Sequence, residues 1–268
     1  MGKSMTPELE RNICAFYTSS PKTIEEVCVE FNLCRPTISK VLKNNNCYIY
    51  TKQDLYNIGV KQDFFENIDN EYKAYFLGLL IADGCIFKFR KNTMFVMLSL
   101  QERDSYMVEN FAKVVGANRK VLVDKRDNSK SITISSNKMA SDLSKYGVIE
   151  KKTFSTYLPM IRKDLMKHLV RGILDGDGNV GKRFTNKGNV RWQIAFCGSE
   201  RLMIEIKNFL VYELDVYDIK VCKEKNIYSI RWTSKEDFLK ICDYLYEDSN
   251  IYLIRKRQVF EDFLNNIY

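Results

Sequence analysis

The chain has little of what builds a zinc site or a membrane span. Histidine occurs once, at His168, and the eight cysteines are scattered, with no C-x-x-C pair. Because zinc sites need clustered cysteine and histidine ligands, we expect no zinc centre, and reduced thiols that mostly pack as small apolar residues. No apolar run approaches the about 20 residues that cross a bilayer, and the N-terminus lacks an apolar signal core. The sequence therefore predicts a cytoplasmic protein without a membrane partner.

Charge is only mildly unbalanced. Among 268 residues, 42 are Lys or Arg and 34 are Asp or Glu, which gives a formal net charge of +8. A basic excess suits a polyanionic partner, although many proteins that bind no nucleic acid are as basic. A chain of this length can bury one large core or several small ones.

The most informative feature is a repeat. Residues 76–84 and residues 170–178 each read as a short apolar helix with small residues at the third and seventh positions, and each ends in Asp-Gly. A repeat on this scale indicates a duplicated fold, in which Asp83 and Asp177 are related by a pseudo-twofold axis. Two carboxylates that meet at such an axis can hold a divalent metal ion between them.

The order of predicted elements is the same in both halves. Residues 71–155 and residues 156–268 each read as a helix, a hairpin, an amphipathic helix, a second hairpin and a closing helix. We therefore predict an α+β fold of tandem αββαββα repeats. In the second half, the second hairpin is predicted from strands at 216–222 and 228–232.

Residues 1–46 read as a separate all-α module of three short helices. Thr23 and Glu26 have the spacing of a capping box, and Asn32 stands where a tight turn needs a left-handed residue. The module is similar to a helix-turn-helix, and a small helical cap packed on the main body is the alternative. Residues 47–70 are predicted to be an extended linker. The candidates for DNA contact in the module are Arg35, Thr37, Ser39, Lys40 and Lys43.

The two repeated stretches resemble the LAGLIDADG motif of homing endonucleases, since the motif occurs twice, in order, with an acid in the family's catalytic position both times. The resemblance covers residues 71–268. It implies a DNA-associated monomer that makes a double-strand break at one long, nearly asymmetric site in double-stranded DNA. It also implies a Mg²⁺ cofactor, for which Mn²⁺ can substitute, held by Asp83, Gly84, Asp177 and Gly178. Two alternatives on the same fold stay open, a DNA-binding regulator without cleavage and an RNA splicing maturase.

The resemblance also implies polar helpers beside the metal. Gln101 follows a strand, as a polar helper does in relatives. Its counterpart in the second repeat is near Gly198 or Ser199, so the role is lost or altered there. The two centres are therefore predicted to differ in chemistry.

The resemblance also implies a lysine near the metal in each repeat. These lysines would come from the closing segments of the two repeats. These segments align after about six extra residues in the second copy, which makes Lys152 and Lys256 the candidates. Lys151 and Arg255 compete for the assignment, and ordinary solvated surface lysines are the alternative.

The ends of the motif helices carry further expectations. Gly84 and Gly178 are expected to end each helix in the left-handed conformation. A calcium-binding loop that starts at Asp175 is excluded, because Val180 stands at the position that needs glycine. Asp175 has no acidic partner in the first repeat, where Ile81 stands, and we expect it to be exposed or to lie behind the metal ligands.

The predicted sheets would supply the DNA surface. Basic side chains that contact phosphates give affinity, while alternate strand residues read base edges in the major groove. Basic residues recur on or near the strands of both repeats, although a charged sheet face can also be simply solvated. The candidates are Lys88, Arg90, Arg119, Lys125, Lys130, Lys182, Arg183, Arg191, Lys220, Lys223 and Arg231.

Overall fold

The computed structural model describes residues 5–51, 54–55, 57–89, 93–118, 120–150, 156–184 and 190–266. Contacts within the chain divide it into two compact units. One comprises Met1–Val60 with Gly116–Arg119, and the other Lys61–Val115 with Lys120–Tyr268. Within the described residues, no helix combines the length and apolar character needed to cross a lipid bilayer.

The first unit is built on three helices, α1 (Pro7–Ser19), α2 (Ile24–Phe31) and α3 (Arg35–Asn44). Thr23 and Glu26 form the predicted capping box at the start of α2, which satisfies backbone N–H groups that have no partner within the helix. Asn32 ends α2 in the left-handed conformation, with φ of 52°. The three predicted helices are confirmed. Their shared core consists of Ile13, Tyr17, Ile24, Val27, Ile38, Val41 and Leu42.

The described residues of segment 47–70, which is predicted to be an extended linker, contribute packed side chains to both units. In the first unit, Tyr50 packs against the three-helix core, and its N–H donates to the Tyr17 hydroxyl at 2.8 Å. In the second unit, Phe64 and Phe65 are buried. Aromatic residues that show no periodicity in the sequence therefore belong to the cores of two different units.

The second unit contains two copies of one order of helices and strands. The first copy comprises α4 (Glu71–Asp83), β1 (Gly84–Phe89), β2 (Thr93–Gln101), a 3₁₀ turn (Glu102–Asp104), α5 (Ser105–Val115), β3 (Leu122–Asp124), β4 (Ser129–Ser135) and α6 (Asn137–Lys145). The second copy comprises α7 (Lys163–Asp177), β5 (Asn179–Phe184), β6 (Val190–Gly198), α8 (Glu200–Leu214), β7 (Cys222–Glu224), β8 (Ile227–Trp232), α9 (Lys235–Tyr246) and α10 (Ile254–Asn265).

Each copy forms its own four-stranded antiparallel sheet. The strand orders are β1-β2-β4-β3 and β5-β6-β8-β7, so the two sheets have the same topology. In β2, buried residues alternate with less buried residues on the opposite face, because successive side chains point to opposite sides of a sheet. In β6, Trp192, Ile194 and Phe196 share the covered face, and Ala195 on the other face is also buried. The buried face is covered by helices of the same copy. The predicted α+β class with tandem αββαββα repeats is confirmed.

The second copy differs from the sequence expectation in two places. The strand predicted at 216–222 is wrong, since this segment is irregular up to Cys222. The Tyr217 N–H donates to Asp237 Oδ1 at 3.2 Å, and the Tyr217 carbonyl accepts from Trp232 Nε1 at 2.9 Å. Side chains thus satisfy backbone groups that a strand would pair. The second difference is α10, a full helix where the sequence pattern identifies only a closing segment.

Helices α4 and α7 cross at two glycines, one from each copy. A Cβ built at Gly78 would lie 2.1 Å from the Leu169 carbonyl oxygen, and a Cβ built at Gly172 would lie 2.1 Å from the Tyr75 carbonyl oxygen. The two contacts mirror each other, as expected for repeats related by a pseudo-twofold axis. The absence of a side chain at both positions lets the backbones touch.

A buried charged network joins the two copies near the start of α4. Arg171 on α7 is fully buried. Its guanidinium donates to Glu71 Oε1 at 2.7 Å, and to the carbonyl oxygens of Leu245 and Ile251 at 2.7 and 2.9 Å. A buried charge is tolerated when hydrogen bonds replace its hydration in this way. The network therefore fixes the copies at one end of the crossing.

We predict that Gly78→Ala destabilises the protein by about 1–3 kcal/mol, because the added methyl group overpacks the crossing. Alanine is a better helix former than glycine by about 1 kcal/mol, so a loss of stability would come from the crossing alone. The measurement is urea unfolding followed by circular dichroism. Gly181→Ala on β5 is the matched control, since its nearest neighbour would be 3.5 Å from the new Cβ. Equal stability of both variants would contradict the close crossing.

Candidate active site

The two motif aspartates end the two crossing helices. Asp83 is the last residue of α4, and Asp177 is the last residue of α7. Near these ends, a Cβ built at Gly176 would lie 2.3 Å from the Ala82 Cβ and 2.8 Å from Asp83 Oδ2. The Asp83 carboxylate therefore lies against the last turn of α7, at Gly176, which directly precedes Asp177. Asp83 is half-buried and Asp177 is exposed.

The prediction that Gly84 and Gly178 adopt the left-handed conformation is wrong. Their φ angles are −78° and −96°, and both residues are extended. Each N–H still closes the helix, donating to the Leu80 or Leu174 carbonyl oxygen. A Cβ at either glycine would lie 2.5 Å from that same oxygen. Glycine is thus required by the tight passage from helix to strand.

Lys256 is buried, so the alternative that it is a solvated surface lysine is wrong. Its ammonium donates to the carbonyl oxygens of Leu174, Asp175 and Gly178 at 2.5, 2.7 and 2.6 Å. These bonds use all three of its donors. Burial lowers the pKa of Lys256 to about 8, although the negative charge of Asp175 acts in the opposite direction and raises it. Lys256 therefore holds the end of α7 and the carbonyl of one proposed metal ligand.

Of the two alternatives for Asp175, the exposed side chain is wrong, because Asp175 is buried. The alternative that it lies behind the proposed metal ligands stays a prediction. Asp175 accepts hydrogen bonds from the Tyr75 and Tyr246 hydroxyls at 2.8 and 3.0 Å, and from the Leu253 N–H at 2.7 Å. Burial raises the pKa of its carboxyl, while Lys256 lowers it. Because Tyr75 belongs to α4, Asp175 links the two motif helices behind their ends.

The cavity beside Asp83 has a volume of about 300 Å³ and a mostly polar lining. It contains Gln101 at the end of β2, as the resemblance implies for a polar helper. Carboxylates, hydroxyls, an amide and guanidinium groups all face this space. Besides Asp83, its polar lining includes Ser99, Gln101, Asp104, Asp127, Ser129 and Arg255.

An ion pair that joins the two copies borders the same cavity. Arg255 Nε lies 3.0 Å from both carboxylate oxygens of Asp104, and Arg255 Nη2 lies 2.9 Å from Oδ2. Asp104 is buried, whereas the Arg255 side chain is 38% exposed. The guanidinium is thus fixed on one side and accessible on the other. The sequence identifies Arg255 only as a competitor of Lys256, and it gives no sign of Asp104.

The cavity beside Asp177 has a volume of about 260 Å³ and a largely apolar lining. By strand register, Leu98 pairs with Ile132 and its equivalent Phe196 pairs with Ile230, so the position of Gln101 is taken by Ser199 in the second copy. Ser199 is buried, and its hydroxyl donates to the Thr156 carbonyl oxygen at 2.6 Å. No amide replaces the missing side chain among the described residues that line this cavity. Besides Asp177, the lining includes Ile81, Thr156, Cys197, Gly198, Leu202 and Ile227. The two aspartates therefore face chemically different surroundings.

The two aspartates suit a metal that shares its ligands with a bound phosphate. Among the described residues, no three Asp, Glu, His or Cys side chains converge as a complete metal site. Mg²⁺ is usually held through one or two carboxylates, with water and substrate phosphates as the other ligands. The carboxylates of Asp83 and Asp177, with the backbone oxygen of Gly84, fit that donor chemistry. The Gly178 carbonyl oxygen fits less well, because it already accepts from the Lys256 ammonium at 2.6 Å.

Arginines of the second sheet lie on its uncovered face. In β6 and β8, Arg191 and Arg231 alternate with the buried residues Ile194 and Ile230. Arg183 on β5 is the register partner of Arg191 and shares its face. These three guanidinium groups have the placement that the DNA-surface prediction requires.

Four of the predicted DNA contacts are at strand positions that alternate onto the helix-covered faces of the sheets. They are Lys88, Lys130, Lys182 and Lys223. The Lys182 ammonium lies 4.6 Å from the centre of the Trp192 ring, which belongs to the helix-covered side. All four are at or near strand ends, where a long side chain can still reach solvent. Their roles in DNA binding stay predictions.

The remaining sheet candidates are on loops or outside the described residues. Lys125 is exposed in the turn between β3 and β4, and Lys220 is exposed before β7. Arg90, Arg119 and Lys152 lie outside the described residues.

The five candidates of the first unit lie on α3, and all are at least partly exposed: Arg35, Thr37, Ser39, Lys40 and Lys43. Arg35 forms an ion pair with Glu25 on α2, which offsets its charge. Lys40 and Lys43 are therefore the cations of α3 that are best placed for a phosphate.

No protein-family model and no curated protein sequence matches the chain. Solved structures do match. The I-LtrWI LAGLIDADG homing endonuclease bound to target DNA is 14% identical over 77% of this chain and 90% of its own, with a TM-score of 0.51. The I-SmaMI LAGLIDADG homing endonuclease bound to cleaved DNA is 13% identical over 74% and 89%, with a TM-score of 0.55. The I-CpaMI LAGLIDADG meganuclease bound to uncleaved DNA is 11% identical over 74% and 90%, with a TM-score of 0.53. The chain therefore has the two-repeat fold of the single-chain LAGLIDADG homing endonucleases.

Proposed function

We propose that the protein is a site-specific DNA endonuclease that makes a metal-dependent double-strand break at a long recognition site. The observation that carries the proposal is the pair Asp83 and Asp177, which end two helices in backbone contact. The similar structures contain target, cleaved or uncleaved DNA, which supports duplex DNA as the substrate. One chain supplies both centres, so a monomer suffices.

The chain's own residues would bind and orient the duplex. Arg183, Arg191 and Arg231 would contact backbone phosphates across the second sheet, which gives affinity that falls with salt. Asp83 and Asp177 would hold Mg²⁺, or Mn²⁺ in its place, against the scissile phosphates. Such an ion, when bound, neutralises phosphate charge and lowers the pKa of a water ligand.

At the Asp83 centre, the Gln101 amide would orient the attacking water. The accessible side of the Arg255 guanidinium would stabilise charge on the phosphate, while Asp104 fixes the direction of the group. Lys256 would act at the Asp177 centre by holding the Gly178 carbonyl. Lys152 stays a proposed counterpart in the first repeat.

The Asp177 centre has fewer groups to offer. Ser199 stands at the position of Gln101 but is buried and bonded to Thr156, and Cys197 and Ile227 present largely apolar surface. Water positioning depends on groups held at hydrogen-bond distance, so their absence slows one centre and not the other. We therefore propose that the two strands are cut at different rates.

The first unit would extend the recognised sequence. Lys40 and Lys43 are exposed on α3, which follows the Asn32 turn as a recognition helix does in a helix-turn-helix. The unit has its own apolar core, which supports an independent DNA-binding module.

We predict that Asp83→Asn and Asp177→Asn each abolish double-strand cleavage and leave binding largely intact. Loss of one ligand charge should slow cleavage of the affected strand by about 100-fold or more, equivalent to roughly 2.7 kcal/mol of barrier. The substrate is a randomised duplex library with Mg²⁺, whose cut ends are sequenced. Asp218→Asn, an exposed aspartate before β7, is the control.

The wild-type result also separates the alternatives. Duplex binding without breaks, with Mg²⁺ and with Mn²⁺, would favour the regulator. Selective binding of structured RNA without duplex cleavage would favour the maturase. Full cutting by either asparagine variant would remove that aspartate from the mechanism.

We predict that one strand is nicked first and that the Asp83 centre cuts the faster strand. Gln101→Ala should slow that strand by about tenfold and shrink or reverse the bias, because Gln101 carries the one amide among the described residues that line the two cavities. Single-turnover cleavage of duplexes labelled on each strand measures both rates. Gln258→Ala, an exposed glutamine on α10, is the control. Equal strand rates that Gln101→Ala leaves unchanged would place the asymmetry outside the chemistry.

We predict that Lys40→Glu and Lys43→Glu each weaken binding of a long duplex and reduce its salt dependence by about one phosphate contact. A duplex trimmed to the part that the second unit protects should show no such change. Titrations at several salt concentrations measure both effects. Arg11→Glu on α1 reverses one charge in the same unit. An equal loss in that variant would mean that net charge, and not α3, sets the affinity.

A further inference from the structure

The second unit contains a cavity of about 850 Å³ that shares no lining residue with either aspartate cavity. It is bordered by the start of α4, one side of α5 and the segment before α10. Its volume is in the range of small-molecule sites, about 300–1,000 Å³. The cleavage proposal assigns no role to this space. The lining residues that bear on its ligand are Lys61, Phe64, Tyr72, Asn110, Lys113 and Tyr252.

The charge of the lining favours an anion. Three lysines and one acid, Asp63, face the cavity. Lys73 is paired with Asp69 at 2.9 Å, which offsets its charge. Lys61 and Lys113 are exposed and retain theirs. A compact ammonium group is a common partner of phosphate.

Several hydrogen-bond donors at the cavity are not used within the part of the protein that the structure describes. The Lys61 ammonium donates to the Val114 carbonyl at 3.2 Å, which leaves two of its three N–H groups for a ligand. Asn110 and Lys113 are three residues apart on α5, so they lie on the same helix face. Within the described parts of the chain, the Asn110 amide and the Lys113 ammonium have no hydrogen-bond or ion-pair partner. These groups are therefore available to one ligand.

Among the four aromatic residues that line the cavity, Tyr72 is the exposed one, at 40%. Phe64 is buried, and Tyr106 is half-buried with its hydroxyl bonded to the Ile254 N–H at 2.7 Å. The Tyr252 ring is already covered by the Arg257 guanidinium, 5.1 Å from the ring centre. Tyr72 is thus the ring on which a planar group can stack. An amide beside such a ring can both donate to and accept from a base edge.

We propose that this cavity binds a nucleoside phosphate. The base stacks on Tyr72, the Asn110 amide bonds the base edge, and Lys61 and Lys113 hold the phosphate. An acidic peptide would satisfy the lysines but would leave the exposed ring and the amide without a use. The ligand is either a free mononucleotide or one nucleotide of a single strand, since both present the same chemistry.

The test is calorimetric titration of the full chain with AMP, GMP, CMP and UMP. Inorganic phosphate and adenosine serve as probes that lack the base or the phosphate. At least one mononucleotide should bind about tenfold more tightly than either half-ligand. A short single-stranded oligonucleotide identifies the source. Binding about tenfold tighter than the mononucleotide indicates a strand, and equal binding indicates the free nucleotide.

Variants locate the site. Lys113→Glu should weaken nucleotide binding about tenfold, and Asn110→Ala should remove the preference among bases. Lys235→Glu, at the exposed start of α9, reverses the same charge outside the cavity and should have no effect. Melting temperatures confirm that each variant is folded. Duplex cleavage should be unchanged in all three, which keeps this result separate from the endonuclease proposal.

Three results would overturn the nucleotide site. One is no binding of any mononucleotide or oligonucleotide at concentrations up to roughly 5 mM, which corresponds to about 3 kcal/mol. Another is nucleotide binding that Lys113→Glu and Asn110→Ala leave intact. The third is tighter binding of an acidic peptide than of any nucleotide, which would assign the lysines to a protein partner.

Discussion

The backbones of α4 and α7 touch at Gly78 and Gly172, where carbonyl oxygens occupy the space that a Cβ would need. Because each motif aspartate lies the same number of residues after its glycine, this single contact sets the separation of Asp83 and Asp177. Side-chain packing adjusts over tenths of an ångström, but a backbone contact has no rotamers to change. The rigid spacing suits chemistry at two fixed positions along a duplex. The Arg171 network fixes the pair near the start of α4.

Around this symmetric contact, the surroundings of the two aspartates have diverged. Strand register and helix ends repeat closely, yet Gln101 lines the cavity of one aspartate, while its counterpart Ser199 is buried against Thr156. A duplicated fold constrains the backbone in both copies, whereas lining side chains are free to vary as long as the sheet pairs. Under the proposed function, a nearly asymmetric DNA site would present different phosphates and bases to each aspartate. The unequal linings are consistent with a protein that treats the two strands differently.

The sequence predicted the parts of the fold that depend on local periodicity and on the repeat. The helices, the two sheets and the positions of the two aspartates follow from such patterns. Expectations failed where distant contacts decide the outcome. The Tyr217 backbone bonds Asp237 in the first turn of α9 and the Trp232 indole instead of a neighbouring strand. Gly84 is extended, and glycine is needed there because the Leu80 carbonyl oxygen is too close for a Cβ. No local signal separates this use of glycine from a left-handed cap. Burial of Asp175 depends on tyrosines from two other helices.

The site was harder to predict than the fold for the same reason. Lys256 and Arg255 are neighbours in the sequence, and no pattern distinguishes their roles. In the structure, one ammonium group is enclosed by three carbonyls, while the adjacent guanidinium borders a cavity. The difference arises from the direction in which each side chain leaves the first turn of α10. Helical residues that are adjacent in sequence point about 100° apart, so they can serve different neighbours.

The first turn of α10 belongs to the second copy but serves both centres. Its Lys256 holds the carbonyl beside Asp177, and its Arg255 pairs with Asp104 beside Asp83. Consequently, neither repeat can be exchanged for that of another protein without changing the other repeat's surroundings. A chimera that keeps the first repeat and takes its second from another protein would remove a guanidinium from the centre of the repeat that was kept. Recombining halves to combine two DNA specificities would therefore require the first turn of α10 to be transplanted together with the first repeat.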